Sequence, residues 1–327
     1  MCSISGFLAT QPLQPNTAQR LADALLFFGR FRGRQSGGMA LLFPNHPPLL
    51  KKRALDPVQL INDPDFDQAF RCEAALVQGI KGALLHTRQP TCGGRGDEQA
   101  QPFLIQDNDA YTITTHNGYY HDFEAIKTAH SITKPSGVDS ELAASYIHRH
   151  GALTLPDFIK STDGPSSIAA YHNSTLYFIR AGNPLSYSFV DLADSNRLIV
   201  WASTPDILRQ ALSYTWLFAT LPQSHTTAEG LLYSATPDAV TPLTTTPVSY
   251  TALTLRAYSS GRPYSWDSDA DYAEDHIHDC PYAKRSISFY SSDCRCILAT
   301  QPDGARIPRP NPNYPPSLLI APSNTPP

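Results

Sequence analysis

No apolar run in the chain reaches the roughly 18 residues that a membrane-spanning helix requires, and no basic flank followed by an apolar stretch opens it. The chain therefore reads as cytoplasmic, with no membrane association expected. Charge is scarce as well. Charged residues make up 17% of the 327 positions, and 25 Lys and Arg nearly balance 29 Asp and Glu for a net charge of -4. That balance provides no electrostatic footprint for nucleic acid or an anionic surface, so the expected partners are small molecules or other proteins. Cys2, Cys72, Cys92, Cys280, Cys294 and Cys296 are the only six cysteines. They are too few and too unevenly spaced for a disulfide framework, which predicts reduced thiols. No internal repeat is present.

What the chain has in quantity is proline, 29 residues of it, nine within the last 26 positions. Thr236-Pro237, Thr241-Pro242 and Thr244-Thr245-Thr246-Pro247 read as linker. The boundaries expected are a folded domain over 2–235 and a Thr/Pro-rich tail of unknown role, poorly structured, over 236–327. Within the domain, residues 2–9 read as a strand. Asn16 with Gln19 reads as a capped helix start, followed by Leu21, Ala24, Leu25 and Phe28 on one face. Strands are predicted over 39–43, 49–54, 83–87 and 111–115, and a helix over 57–70 broken near Pro64. A third helix is predicted after Asp139-Ser140, with Leu142, Ala143, Tyr146 and Ile147 as its apolar stripe. From Ser166 onward hairpins dominate, including one turning at Gly182-Asn183. Helices early and antiparallel strands late predict an α+β arrangement of two sheets packed face to face with helices outside.

Five stretches carry chemistry. Cys2 directly follows Met1, and trimming of the methionine would give one residue both a thiol and an α-amine. The two titrate near ~8.5 and ~8, so the amine can accept the thiol proton close to neutral pH. The alternative is a small apolar residue in a first strand. Arg32-Gly33-Arg34-Gln35-Ser36-Gly37-Gly38 is a polar turn whose glycines permit close backbone approach. Arg88, in His86-Thr87-Arg88-Gln89-Pro90-Thr91, offers a guanidinium fork for a carboxylate, or is a surface arginine beside a turn. Asn117-Gly118 is either a hairpin turn or a side-chain amide beside an unhindered N–H, which is what an oxyanion hole needs. Asp139 opens a helix and could accept bonds from an ammonium.

Taken in order, these stretches resemble the class II glutamine amidotransferases, whose glutaminase domain is an N-terminal-nucleophile (Ntn) hydrolase. Cys2-Ser3-Ile4-Ser5-Gly6 is similar to the family's Cys-Gly-Ile-x-Gly opening, with serine in the glycine place as in bacterial asparagine synthetases. Arg32 to Gly38 resembles Arg-Gly-x-Asp-Ser-x-Gly, with Gln35 replacing the acid. His86, Arg88, Thr91 and Gly93 match His-x-Arg-x-x-Thr-x-Gly. Gln99 to Phe103 resembles the Ala-Gln-Pro-Phe of the purine branch. His116-Asn117-Gly118 and Asp139-Ser140-Glu141 match the His-Asn-Gly and Asp-Ser-Glu motifs. Tyr177 to Leu185 is similar to Arg-Asp-x-x-Gly-x-x-Pro-Leu with its acid lost, and Trp201-Ala202-Ser203 to a later Ala-Ser-Glu with Thr204 in place of the acid.

The resemblance implies a four-layer αββα sandwich over about residues 2 to 235 and hydrolysis of the L-glutamine side-chain amide through a Cys2 γ-glutamyl thioester, releasing glutamate and ammonia. It assigns Asn117 and Gly118 to the oxyanion, Arg88 to the substrate carboxylate and Asp139 to its ammonium, with Thr91, Arg32 and His86 also at the substrate. No cofactor is implied. No acceptor domain is recognisable, so either a separate synthase receives the ammonia or the chain is simply a glutaminase. The readings beside it are hydrolysis of another small γ-glutamyl amide and an inactive binding module of the same fold. His276, His278, Cys280, Cys294 and Cys296 are ligand-capable, but their spacing fits no known zinc motif and no metal is expected.

Overall fold

The computed structural model describes residues 2–89, 96–107, 110–120, 123–132, 137–192, 195–215 and 222–250, together with the backbone of 296–300 and 306–310. The chain divides into two compact units, Met1–Thr254 and Leu255–Pro327.

The strands of the first unit are β1 (Ser3–Leu13), β2 (Ser36–Leu42), β3 (Leu49–Arg53), β4 (Ile80–Arg88), β5 (Phe103–Asp107), β6 (Ala110–Gly118), β7 (Ser166–His172), β8 (Thr175–Ala181), β9 (Ser186–Asp191), β10 (Arg197–Ala202), β11 (Ser224–Thr226), β12 (Tyr233–Ala235) and β13 (Val240–Pro242). Its helices are α1 (Pro15–Gly29), α2 (Pro57–Ile61), α3 (Pro64–Ala69), α4 (Glu73–Gln78), α5 (Phe123–Ala129), α6 (Glu141–His150), α7 (Leu155–Ser161) and α8 (Pro205–Thr215). Two antiparallel sheets result, one of seven strands in the order β11-β9-β10-β1-β4-β2-β3 and one of six in the order β13-β12-β8-β7-β6-β5.

The sheets pack through a shared apolar layer. Ile4, Leu8, Ala40, Leu42, Leu84, Ile199 and Trp201 come from one sheet, and Ile113, Ala169, Tyr171, Leu176 and Phe178 from the other. Alternation along a strand then settles which side chains point between the sheets. On β1 these are Ile4, Gly6 and Leu8, with Cys2 just before the strand in the same alternation, on β4 Leu84, His86 and Arg88, and on β6 Ile113, Thr115 and Asn117. Gly6 is required there, because a Cβ would overlap the Trp201 ring and the Ala83 carbonyl. Helices α1 and α8 cover the outer face of the seven-stranded sheet, and α6 and α7 that of the six-stranded one. The layers are helix, sheet, sheet, helix, as expected.

Several local expectations differ. Helix α1 begins two residues earlier than a cap at Asn16 would place it, at Pro15, with Gln14 in the cap position and no side-chain cap; Gln19 instead donates to Asp67 Oδ1 at 2.7 Å. Gly182-Asn183 does not close a hairpin. The link carries the chain from β8 in one sheet to β9 in the other, which turn-residue statistics cannot distinguish. Residues 240–242, expected as linker, pair with β12, and Val248 joins the core under α6 and α7. In the second unit, β14 (Cys296–Thr300) pairs antiparallel with β15 (Arg306–Pro310). Its prolines are accommodated because both strands of a two-stranded ribbon are edges. Among the described residues no helix is long and apolar enough to cross a membrane.

Candidate functional site

Strand pairing brings the motifs to one end of the sandwich. Ser3 pairs with Thr87 and Ser36 with Arg88, so the start of β1, the start of β2 and the end of β4 meet. The end of β6 approaches from the opposite sheet.

Cys2 is buried, 8% exposed. Its main chain is held on both sides: its N–H donates to Asn117 Oδ1 at 3.2 Å, and its carbonyl accepts from Arg32 Nε at 3.0 Å. Two residues on, Ser203 Oγ accepts from the Ile4 N–H at 2.9 Å. With Met1 in place the Cys2 nitrogen is a peptide amide; once Met1 is removed, the same atom is the α-amine. The thiol contacts the Gln89 carbonyl at 3.6 Å. Burial pushes this thiol above its ordinary range, while the positive amino terminus, the Gln89 bond and Arg88 pull it back, and Asp139 pushes it up again. Arg88 and Asp139 thus both lie close enough for their charges to act on Cys2.

The Asn117 side chain is the informative group. It is 2% exposed. A carbonyl oxygen must face the Cys2 N–H donor, so the amide orientation follows from chemistry, and Nδ2 is turned the other way. Nδ2 is buried with no hydrogen-bond partner among the described residues. A buried unmet donor costs about 1–3 kcal/mol and invites an explanation in terms of a ligand. Gly118 follows directly, at the end of β6 and not in a hairpin turn. A Cβ there would overlap the Pro165 carbonyl oxygen and crowd His116 Nε2.

The remaining predicted residues fall into two groups. Asp139 is buried and its carboxylate is oriented by main-chain donors, Tyr120 N to Oδ2 and Ser140 N to Oδ1, both at 2.8 Å. Ser140 Oγ adds a longer contact to Oδ1 at 3.4 Å. Arg88 is buried at the end of β4. The turn beside it is tight: a Cβ on Gly33 would lie 2.6 Å from the Arg88 backbone, and Gln35 N–H donates to the Arg88 carbonyl at 3.0 Å. By contrast, Arg32 grips the Cys2 carbonyl, and fully buried His86 bridges the sheets through Nε2–H to the His116 carbonyl at 3.1 Å. Thr91, with Cys92 and Gly93, lies outside the described residues, as do His276, His278, Cys280 and Cys294, and no side-chain description covers Cys296. Among the described residues no cluster of three or more His, Cys, Asp or Glu could hold a metal.

Sequence reading missed the supports. Gln101 brackets His116, accepting from its N–H at 2.7 Å and donating to its carbonyl at 3.1 Å. Ser140 Oγ reaches His116 Nδ1 at 2.8 Å, which links the Asp139 turn to β6. Asn183 Nδ2 donates to the Asn117 carbonyl at 2.8 Å. Gln101 and Ser203 sit inside segments that carry the family resemblance, and that was their only signal.

Two of these groups make stability acid-sensitive. Burial holds the His86 and His116 imidazoles down to about 3 and about 4. An exposed imidazole titrates near ~6.5, so below that pH the unfolded chain takes up protons that the folded one refuses. Stability is complete above pH ~6.5 and declines as pH falls toward the folded values, by a few kcal/mol per histidine. Urea midpoints should therefore drop between pH 7 and 5, before most carboxylates titrate. The His86→Gln/His116→Gln double variant should flatten that slope without removing it, because His130 and His172 are also held low by burial.

No protein-family model matches the chain. Two curated relatives do, over part of it. An amidophosphoribosyltransferase of Archaeoglobus fulgidus is 33% identical over 111 residues, 34% of this chain and 22% of that protein. An amidophosphoribosyltransferase of Bacillus subtilis is 37% identical over 95 residues, 28% of this chain and 20% of that protein. The matched stretch is thus about a fifth of the relatives' own length. Among solved structures, glutamine phosphoribosylpyrophosphate amidotransferase of B. subtilis, complexed with ADP and GMP, superposes with a TM-score of 0.54 at 19% identity, covering 74% of this chain and 48% of that one. The first unit therefore carries the Ntn-hydrolase fold of the class II glutamine amidotransferases, and in sequence the chain resembles their amidophosphoribosyltransferase branch.

Proposed function

We propose that the chain is a glutaminase of the class II amidotransferase type, working on free L-glutamine after loss of Met1. The observation that carries this reading is the Asn117 amide, with Oδ1 engaged by the Cys2 nitrogen and Nδ2 buried beside the nucleophile with no partner among the described residues. That is the arrangement of a donor waiting for a developing oxyanion.

In the proposed sequence the Cys2 α-amine takes the thiol proton and sulfur attacks the substrate Cδ. The carbonyl oxygen becomes an oxyanion facing Asn117 Nδ2 and the Gly118 N–H. Collapse breaks the C–N bond, the amine returns its proton to nitrogen, and ammonia leaves a γ-glutamyl thioester. Water, giving a proton to the same amine, attacks the thioester; glutamate departs and the thiol is restored. Arg88 and Asp139 bind the substrate carboxylate and ammonium, which selects a free amino acid over a peptide. Thr91 completes the substrate end in this reading. Arg32 and His86 are positioning residues, one for the Cys2 main chain and one for β6. The ammonia acceptor is proposed to be a separate synthase, and the setting cytoplasmic.

Steady-state assay of glutamate and ammonia release by the full chain tests the reading. Arg88→Ala should raise KM by ~10-fold or more with little change in kcat, because its contact is present in ground and transition states alike. A large fall in kcat at unchanged KM would contradict that role, and turnover of γ-glutamyl amides with glutamine untouched would contradict the substrate.

A further inference from the structure

Asn183 lies in the short link from β8 to β9, where a turn alone was expected. Its Nδ2 donates to the Asn117 carbonyl at 2.8 Å. A carbonyl only accepts, so this amide orientation is also fixed by chemistry. The link itself is anchored. Ser167 Oγ donates to the carbonyls of Asn183 at 2.8 Å and Pro184 at 3.2 Å. The Gly182 N–H donates to Glu229 Oε1 at 2.8 Å, and Arg180 Nε to the Thr227 carbonyl at 2.6 Å. Asn183 therefore presents its donor from a braced segment.

The carbonyl it holds shares a peptide unit with the Gly118 N–H. In a trans peptide the two groups point in opposite directions from one rigid plane. Rotation of that plane redirects the Gly118 donor relative to the Asn117 side chain. On one side β6 pairs with β7 to its end, Asn117 opposite Ser167 and Gly118 opposite Ser166; on the other the pairing with β5 extends only to Thr114, four residues short of Gly118. Asn183 adds its donor where the ladder ends, beside a glycine that tolerates a wide range of backbone angles.

We propose that Asn183 is a positioning residue for the oxyanion site, setting the Asn117–Gly118 peptide so that both donors converge on one oxygen. The proposal rests on the glutaminase reading. Asn183→Asp replaces the donor by an acceptor of nearly the same shape, and Asn183→Ala removes it should the aspartate variant fail to fold. With the full chain, kcat for L-glutamine should fall ~10- to 100-fold while KM and inhibition by L-glutamate stay within about twofold, because ground-state contacts are untouched.

Glutamate γ-semialdehyde supplies the readout that a packing role would not move. The Cys2 sulfur adds to its aldehyde carbon, the thiol proton ends on the oxygen, and the resulting tetrahedral adduct places that oxygen at the two donors. Its affinity should fall by about the same factor as kcat, with glutamate affinity constant. An active wild-type protein with unchanged kcat in the variants, or with aldehyde and glutamate weakened alike, would overturn the role of Asn183 alone. Absence of turnover in the wild-type protein would overturn the glutaminase reading and this role with it.

Discussion

Cys2→Ala is expected to remove glutamine hydrolysis almost completely, by a factor on the order of 10⁴ or more. No described group can substitute for the sulfur. Cys72 is the only other free cysteine with a described environment, and it stands at the start of α4, away from the strand ends that carry Asn117, Arg88 and Asp139. The fold should persist, since the loss is one small buried side chain worth about 1 kcal/mol of packing. Cys2→Ser separates the parts of the mechanism further. A hydroxyl holds its proton far more tightly than a thiol, so an α-amine matched to the thiol cannot activate it. Residual turnover in either variant approaching wild type would place the chemistry elsewhere. Equilibrium dialysis of glutamine against Cys2→Ala should still give binding, because Arg88 and Asp139 remain.

Asn117→Ala should lower kcat by about 10²–10³, the usual cost of one oxyanion donor. The two ends of its side chain make the prediction sharper. Nδ2 has no ground-state partner among the described residues, so its loss should leave KM nearly unchanged. Oδ1 accepts from the Cys2 nitrogen, so the alanine variant also frees the amine and should broaden the pH dependence of acylation. Asn117→Asp keeps the acceptor and loses the donor; it places a carboxylate where an oxyanion must form and should be at least as slow as alanine. A loss appearing in KM alone would assign Asn117 to substrate binding.

The layered architecture was legible in the sequence because short apolar runs such as Ile168 to Tyr171, buried on both faces of the six-stranded sheet, are punctuated by turn residues, and because α6 has an unbroken apolar stripe. Cys2, Arg88, Asn117, Gly118 and Asp139 were legible through their motifs, and the structure gathers them at one end of the sandwich. What was not legible depends on partners distant in sequence. Asn117 and Asn183 are 66 positions apart and meet only because the chain changes sheets at Gly182. Arg32 sits in a glycine-rich turn, and only the fold shows that its guanidinium reaches the Cys2 carbonyl. Residues 240–250 look like linker because a three-residue edge strand carries too little pattern to recognise, yet Val248 completes a core.

The central claim is that Cys2, freed of Met1, is the nucleophile of a glutaminase. Intact-mass analysis of the purified chain before and after a glutamine-analogue electrophile, followed by peptide mapping, tests it most directly. The expected result is a chain lacking Met1 that gains one label on Cys2, with labelling suppressed by excess L-glutamine and Cys72 unmodified. Retention of Met1 in the labelled protein, or a label on any other residue, would contradict the account.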